Sequence, residues 1–434
     1  MKIIPMERKV IQKLAIWKNK YNRKPLIING SRQVGKTWVV KEFARKYFDA
    51  KIHIINFEEN PAFSRVFDAN FEIVRIVDEL EILLGRSIQL ASDLLFFDEI
   101  QVCPKAITAL RYFYEKMPDA HVIAAGSLLD FVLKDISFPV GRVEEIEMHP
   151  LTFAEFLLAR EKQKLLDHLH QNPVSTNEVF VQEMQKELQL YFVIGGMPEC
   201  VQTYIHTNSL IQVMQVQNQL INTYRNDFRK YSPKVNSDCL NDILASVSTR
   251  IGQQIKYTTL SDRFTSVTVK TGVEVLNASR LLYTVRNVNL QGLPFIPQGK
   301  QFKLIFLDIG LLIRLSGLPI QTDLLNGNLL TSFKGMLAEQ FIGQELKAHA
   351  AAPIHYWENT NPGTMAEIDY VIELNGKIIP IEIKYGKSGS LKSLHSVLDR
   401  FSNIEQAYVF SNAHEGQLDK INFVPLYYVS ELYK

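Results

Sequence analysis

Gly30-Ser31-Arg32-Gln33-Val34-Gly35-Lys36-Thr37 has the spacing GxxxxGK[ST]. Each residue type there has a physical use. Glycines let the backbone curl so that successive N–H groups point at phosphate oxygens. A helix beginning at Lys36 adds its positive dipole end. Lys36 brings a mobile charge to β- and γ-phosphates, and Thr37 offers a hydroxyl to Mg²⁺. Downstream, Leu94-Leu95-Phe96-Phe97 runs into Asp98 and Glu99. Asp98 at a strand end can hold Mg²⁺ directly or through water. Glu99 can orient an attacking water or take its proton. A fourth strand closes at Gly126-Ser127, and strand C-termini line the ligand crevice of an open α/β sheet. Ser127 is there either to sense the γ-phosphate or to cap a helix over 128–133.

A second constellation lies far downstream. Glu339 falls in a helix around 335–346, and Asp369 in the run Glu367-Ile368-Asp369-Tyr370. Asn375-Gly376 then offers a type I′ hairpin turn. Glu382 and Lys384 are two apart on the returning strand and so share a face. Pairing about the turn would gather three acids and a lysine. Those carboxylates could hold a second Mg²⁺ or Mn²⁺ to activate water, while the lysine stabilises charge at phosphorus. The competing reading is a half-exposed strand of alternating charge with Ile381, Ile383 and Tyr385 as its core face. Lys387, Lys392 and Arg400 follow, either as contacts to a nucleic-acid backbone or as a solvated face.

The elements that must position these residues alternate. Short apolar runs at 25–29, 52–57, 93–98 and 121–125 read as buried strands, separated by helices over 37–47, 71–84 and 105–116. A further helix over 6–20 precedes them, with Ile11, Leu14, Ala15 and Trp17 on one side. This order implies an α/β class: a parallel sheet with helices on both faces. Residues 150–230 read as mostly helical, interrupted at Gly195-Gly196-Met197-Pro198. Helices over 242–250, 257–264 and 268–279 and a strand over 282–290 suit a winged helix, which binds DNA or serves as a structural joint. Strand–helix alternation returns after 300.

The chain has 434 residues, which at about 150 per domain suggests three domains. Hydrophobic residues are 46% and charged residues 22%, excluding long disorder, collagen and a small disulfide scaffold. The formal charge of +2 argues against a basic nucleic-acid coat, though not against a local patch. Cys103, Cys200 and Cys239 have no metal spacing and read as thiols of a reducing compartment. The N-terminus lacks a signal-peptide core. Residues 200–224 carry no charge, but Gln202, Gln212, Gln215, Gln217 and Asn218 make a membrane span too costly. The expectation is a cytoplasmic protein.

The strings GSRQVGKT, LLFFDEIQ, AAGSLLDF and VGRVEEIEMHPLTFAEFL, with YFVIGGMPECV, TYRNDFRKY, KLIFLDIGLLIRLSG, KGMLAEQFIGQEL and AEIDYVIE, resemble bacterial AAA-type ATPases. Those relatives carry a C-terminal domain of unknown function and are kin of the STAND-like archaeal ATPases. The resemblance covers nearly the whole chain. It implies an additional-strand P-loop fold, with the Ser127 strand between the P-loop strand and the Asp98 strand. It implies Arg142 as a stabiliser of γ-phosphate charge, against the alternative of a salt bridge to Glu144 or Glu145. It also implies Gly195 to Pro198 as a nucleotide-contacting element, against a simple helix cap and turn. Glu339, Asp369, Glu382 and Lys384 resemble the PD-(D/E)XK nuclease core.

The resulting expectation is an α/β chain: a P-loop ATPase domain with a helical lid over 1–205, a helical or winged-helix joint over 206–300, and a nuclease-like domain over 301–434. It would bind and hydrolyse ATP with Mg²⁺ and control the C-terminal domain. The alternative is a nucleotide-dependent regulator whose C-terminal domain docks DNA or protein without catalysis. Ring and monomer both stay open, as does whether Arg142 acts within its own subunit or on a neighbour.

Overall fold

The computed structural model describes residues 6–127, 129, 139–228, 235–317, 334–350, 352–359, 365–384, 391–411 and 416–433. Two compact units divide it: residues 6–149 with 278–280, and residues 150–277 with 281–434.

The first unit is built on five parallel strands: β1 (Leu26–Gly30), β2 (Ile52–Asn56), β3 (Leu94–Asp98), β4 (His121–Gly126) and β5 (Glu144–Met148). Their order is β2-β3-β4-β1-β5, so β4 does lie between the P-loop strand and the Asp98 strand. β1, β3 and β4 are buried throughout, which is why they read as unbroken apolar runs. Ile27, Leu95, Phe97, Val122 and Ala124 pack into one core with helices Ile73–Leu84 and Pro104–Lys116. Phe57, Phe67 and Phe97 interlock there with centroids 5.8–5.9 Å apart. Alternation turns Ile28, Phe96 and Ile123 to the other face. Helices Lys9–Lys18 and Lys36–Tyr47 bury Trp17 and Phe43 against each other. β5 is absent from the sequence expectation. Its run Glu-Glu-Ile-Glu-Met has the charged look of an edge strand.

The second unit combines helices with an eight-stranded sheet. Helix Phe153–Ala159 starts at a reciprocal cap: Thr152 Oγ1 accepts from Glu155 N, and Glu155 accepts from Thr152 N at 3.0 Å. The uncharged stretch 200–224 divides into helices Pro198–Thr207 and Leu210–Asp227, broken at Asn208 (φ 49°) and capped by Ser209. Among the described residues no helix is long and apolar enough to cross a membrane.

Several sequence expectations are corrected here. Helix Ser237–Val247 begins before 242 because Asn236 caps it, accepting from Asp238 N. The helix expected over 257–264 is one short turn, Tyr257–Thr259. Ser261 and Arg263 instead bind the Asp242 carboxylate at 2.9 and 3.0 Å, which competes with helix formation. No free wing follows helix Ser266–Ala278. β6 (Leu282–Val288) pairs antiparallel with β7 (Pro297–Phe306) and parallel with β8 (His355–Asn359). The hairpin is thus the margin of the large sheet, and the boundary expected at 300 falls inside β7. The sheet continues through β9 (Ala366–Leu374), β10 (Lys377–Lys384), β11 (Ala407–Ser411), β13 (Ile421–Val424) and β12 (Gly416–Leu418). Asn375 and Gly376 both have positive φ, as the I′ turn between β9 and β10 requires.

Candidate functional site

The phosphate loop leaves β1 through left-handed residues at Gln33 and Gly35, and helix Lys36–Tyr47 follows at once. Gly30 has no room for a side chain, because a Cβ there would meet the Met148 carbonyl of β5. Lys36 is buried, and its Nζ donates to the carbonyls of Gly30 at 2.9 Å and Ser31 at 2.8 Å. Burial pulls the ammonium down to about 8, with Glu99 and Asp98 opposing. Thr37 Oγ1 donates to both Asp98 oxygens, at 3.0 and 3.2 Å. Burial raises Asp98 above the usual carboxylate range. A hydroxyl and a buried carboxylate in contact are hard oxygen donors of the kind Mg²⁺ takes, so these two residues fit that ion.

Glu99 adopts left-handed backbone (φ 51°), a local strain of order 1 kcal/mol that turns the chain immediately after Asp98. Its Oε2 accepts from Gln101 Nε2 at 2.6 Å. Gln101 also lies against Gly126 at the end of β4, where a Cβ would collide with its Oε1. Ser127 is buried, and its Oγ has no partner among the described residues. The helix expected over 128–133 lies outside the described residues, apart from Leu129.

The arginine expected at the γ-phosphate is engaged elsewhere, and other arginines lie nearer the loop. Arg142 binds Glu115 Oε1 at 3.1 Å on the half-exposed flank of helix Pro104–Lys116. Neither acid anticipated as its partner holds it, and Glu144 pairs with Lys20. The cations whose fields reach Lys36 are Arg32 of the loop and Arg280. Arg280 is mostly buried and forms an ion pair with Glu147 of β5 at 3.2 Å. Arg8, buried at the start of the first helix, donates to Val34 O at 3.2 Å and His149 O at 2.6 Å, bracing the loop. Gln101, Arg280 and Arg8 carry no spacing signal. Only the burial of an unusual polar group marks them.

In the second unit, Gly195 ends helix Glu178–Ile194 with φ 76°, as a cap and turn. Gly196 N donates to Asp308 Oδ2 at 2.6 Å, and Gly196 O accepts from Leu151 N at 2.7 Å. Burial raises Asp308 to about 6. The backbone of this turn is engaged by its own unit.

The C-terminal residues do come together, but around a group the sequence reading left out. Lys303 of β7, 1% exposed, sits with its Nζ 2.6 Å from Glu367, 2.9 Å from Glu339 and 3.6 Å from Asp369. Glu382 pairs with Lys384 at 2.6 Å. Asp369 Oδ2 accepts from Ile383 N at 2.8 Å. Burial drives Glu339 up to about 8 and Glu382 up to about 7, the latter helped by Asp369. Burial works against the Lys303 charge too, yet Glu339, Asp369 and Glu367 outweigh it and hold the ammonium well above its ordinary range. Among the described residues no group of three or more His, Cys, Asp or Glu is arranged to hold a metal. Lys387 and Tyr385 lie outside the described residues. Arg400 lines a cleft of about 560 Å³ with Lys256, Lys300, Asn289 and Trp357.

Comparison with known proteins agrees with the first unit. Residues 22–157 match the family model described as an AAA domain. Residues 185–322 and 334–429 match two domains of unknown function, DUF8612 and DUF4143. No curated protein matches the chain. Among solved structures, a Walker-type ATPase of Pyrococcus abyssi is similar at 16% identity, over 72% of this chain and 96% of that one, with a TM-score of 0.46. The Aeropyrum pernix ORC1 protein in complex with DNA is similar at 13% identity, over 73% and 94%, with a TM-score of 0.31. The RuvB Holliday junction branch migration motor of Thermotoga maritima follows at 13% identity, over 64% and 89%, with a TM-score of 0.30. Taken with the strand order of its sheet, the match over residues 22–157 gives this part of the chain an AAA-type P-loop ATPase fold, whose general chemistry is ATP binding and hydrolysis.

Proposed function

We propose that the protein is a Mg²⁺-dependent ATPase that works as a switch. The observation carrying this reading is the assembly of Lys36, Thr37, Asp98 and Glu99 at the carboxyl ends of β1 and β3. Residues 30–37 bind the phosphates through the loop N–H groups and the helix end. Lys36 exchanges its two carbonyl partners for β- and γ-phosphate oxygens. Thr37 and Asp98 hold Mg²⁺, which when bound supplies divalent charge to the phosphate oxygens. Glu99, steadied by Gln101, orients a water and accepts its proton. Ser127 donates toward the γ-phosphate or that water. Arg280 is the better-placed γ-phosphate cation, since its field reaches Lys36, whereas Arg142 pairs with Glu115 on the flank of helix Pro104–Lys116.

The test is ATP turnover by the purified chain, its Lys36→Ala variant and its Glu99→Gln variant. Both substitutions should lower turnover by about 10²–10³-fold, the usual size for a preorganised group that meets the transition state. Glu99→Gln should keep nucleotide binding, whereas Lys36→Ala should lose most of it. Equal turnover in all three refutes the assignment.

For the C-terminal domain we favour docking over cleavage. Lys256, Lys300 and Arg400 around an amide-rich cleft with Trp357 suit an anionic partner such as single-stranded DNA, through phosphate contacts and base stacking. Salt-dependent binding of a labelled oligonucleotide, weakened by Lys300→Ala together with Arg400→Ala and without cleavage, supports docking. Mg²⁺-dependent cleavage that Glu382→Ala abolishes overturns it in favour of the nuclease reading.

A further inference from the structure

We infer that the Lys303 ammonium is the resident cation of the C-terminal carboxylate cluster and occupies the place a divalent metal would take there. The inference is independent of the ATPase reading. Three carboxylates from two elements converge on this one side chain: Glu339 from helix Lys334–His349, and Glu367 and Asp369 from β9. Lys303 itself rises from β7 with its Nζ 5.6 Å from the Tyr356 ring centre. Tyr370 adds a bond from its hydroxyl to the Glu339 carbonyl at 3.1 Å. A glycine at 252 (φ 79°) leaves the room that the Glu339 carboxylate fills.

Geometry excludes sharing. A Mg²⁺ held by the oxygens of Glu339, Glu367 and Asp369 would sit about 2.0–2.1 Å from each. The Nζ already lies within 2.6–3.6 Å of all three, so ion and ammonium would overlap. The oxygens on the Glu382 side are engaged as well. Asp369 Oδ2 takes the Ile383 amide, and Glu382 Oε1 takes Lys384. Glu382 Oε2 is buried without a hydrogen-bond partner among the described residues. Charge balance agrees. Two ammonium groups, Lys303 and Lys384, already offset half the charge of the four carboxylates. The cluster therefore ties β7, β9, β10 and one helix together without metal.

Mn²⁺ binding by the full-length, nucleotide-free chain, read by electron paramagnetic resonance up to about 1 mM, the range of weak carboxylate sites, tests this. The wild-type chain and Asp369→Asn should bind the same number of ions. Lys303→Met, which keeps the apolar stem and removes the charge, should bind one ion more per chain. The added ion should vanish in Lys303→Met combined with Asp369→Asn. Loss of an ion from Asp369→Asn in the otherwise wild-type chain overturns the inference, as does a folded Lys303→Met with no gain. Where circular dichroism finds Lys303→Met unfolded, the wild-type and Asp369→Asn pair decides alone.

Discussion

Two lysines of this chain are buried among oxygens, and they are put to opposite uses. Lys36 follows the left-handed Gly35 and is held by two neutral carbonyls, its ammonium pulled down to about 8 by burial. Neutral partners are easily exchanged for phosphate oxygens that carry full charge. Lys303 is held by three carboxylates that keep its charge in place. Exchanging any of them would strand a buried charge, at a cost of several kcal/mol. The difference teaches that a lysine near acids is chemistry only where its partners can be replaced. Among the described residues, Asp98 likewise meets only the neutral Thr37 hydroxyl and the Glu99 amide. Glu339, by contrast, is paired with a charged group, Lys303.

The sharpest way to break this contrast is Lys303→Met. Removing one partner of a buried charge network should cost about 3–5 kcal/mol in chemical denaturation of the unit. Mn²⁺ should restore part of that loss, and wild-type stability should not respond to Mn²⁺ through this cluster. A cost under 1 kcal/mol would mean the ammonium is not holding the acids. Proton linkage sharpens the same point. Glu339 is raised from 4.5 to about 8, so the folded chain binds a proton that the unfolded chain has already released. The stability tied to this group is fully present below about pH 4.5 and is lost as pH rises to about 8. Glu339→Gln should flatten that stretch of the stability profile.

A smaller effect separates the arginines. Arg280→Ala should lower ATP turnover by about tenfold or more, as loss of a charge stabiliser does. Arg142→Ala should change it by less than about threefold, because it loses an exposed pair of the kind worth at most about 1 kcal/mol. The reverse ranking would restore Arg142 as the γ-phosphate cation. Smallest of all, Gln101→Ala should reduce kcat a few-fold with KM for ATP unchanged, since Gln101 acts only by positioning Glu99. An unchanged kcat would remove it from the site.

Much of the first unit was legible because parallel strands buried on both faces have nowhere to put polar residues. Leu94 to Phe97 announces its strand, and Gly35, Lys36 and Thr37 announce the loop. β5 was not legible, since an edge strand of Glu144, Glu145 and Glu147 has the composition of a solvated loop. Arg280 was hidden by distance along the chain, and no periodicity links it to Lys36. In the second unit the Asn375-Gly376 turn was plain, and with it the proximity of Asp369 to Glu382. Lys303 was not, because β7 begins with the polar run Pro-Gln-Gly-Lys-Gln and its acidic partners come from elements far along the chain. The same opacity made the β6–β7 hairpin look like a wing. A hairpin joining a larger sheet and a free one have the same local pattern.

The most direct test of the central claim, that the metal chemistry belongs to the P-loop site alone, is the Mg²⁺ dependence of ATP turnover in the wild-type chain, Asp98→Asn and Asp369→Asn. Turnover should rise with Mg²⁺ in the wild type, fall by about 10²-fold or more in Asp98→Asn, and follow the wild-type curve in Asp369→Asn. Full Mg²⁺-dependent turnover in Asp98→Asn, or a shifted Mg²⁺ curve in Asp369→Asn, would contradict it.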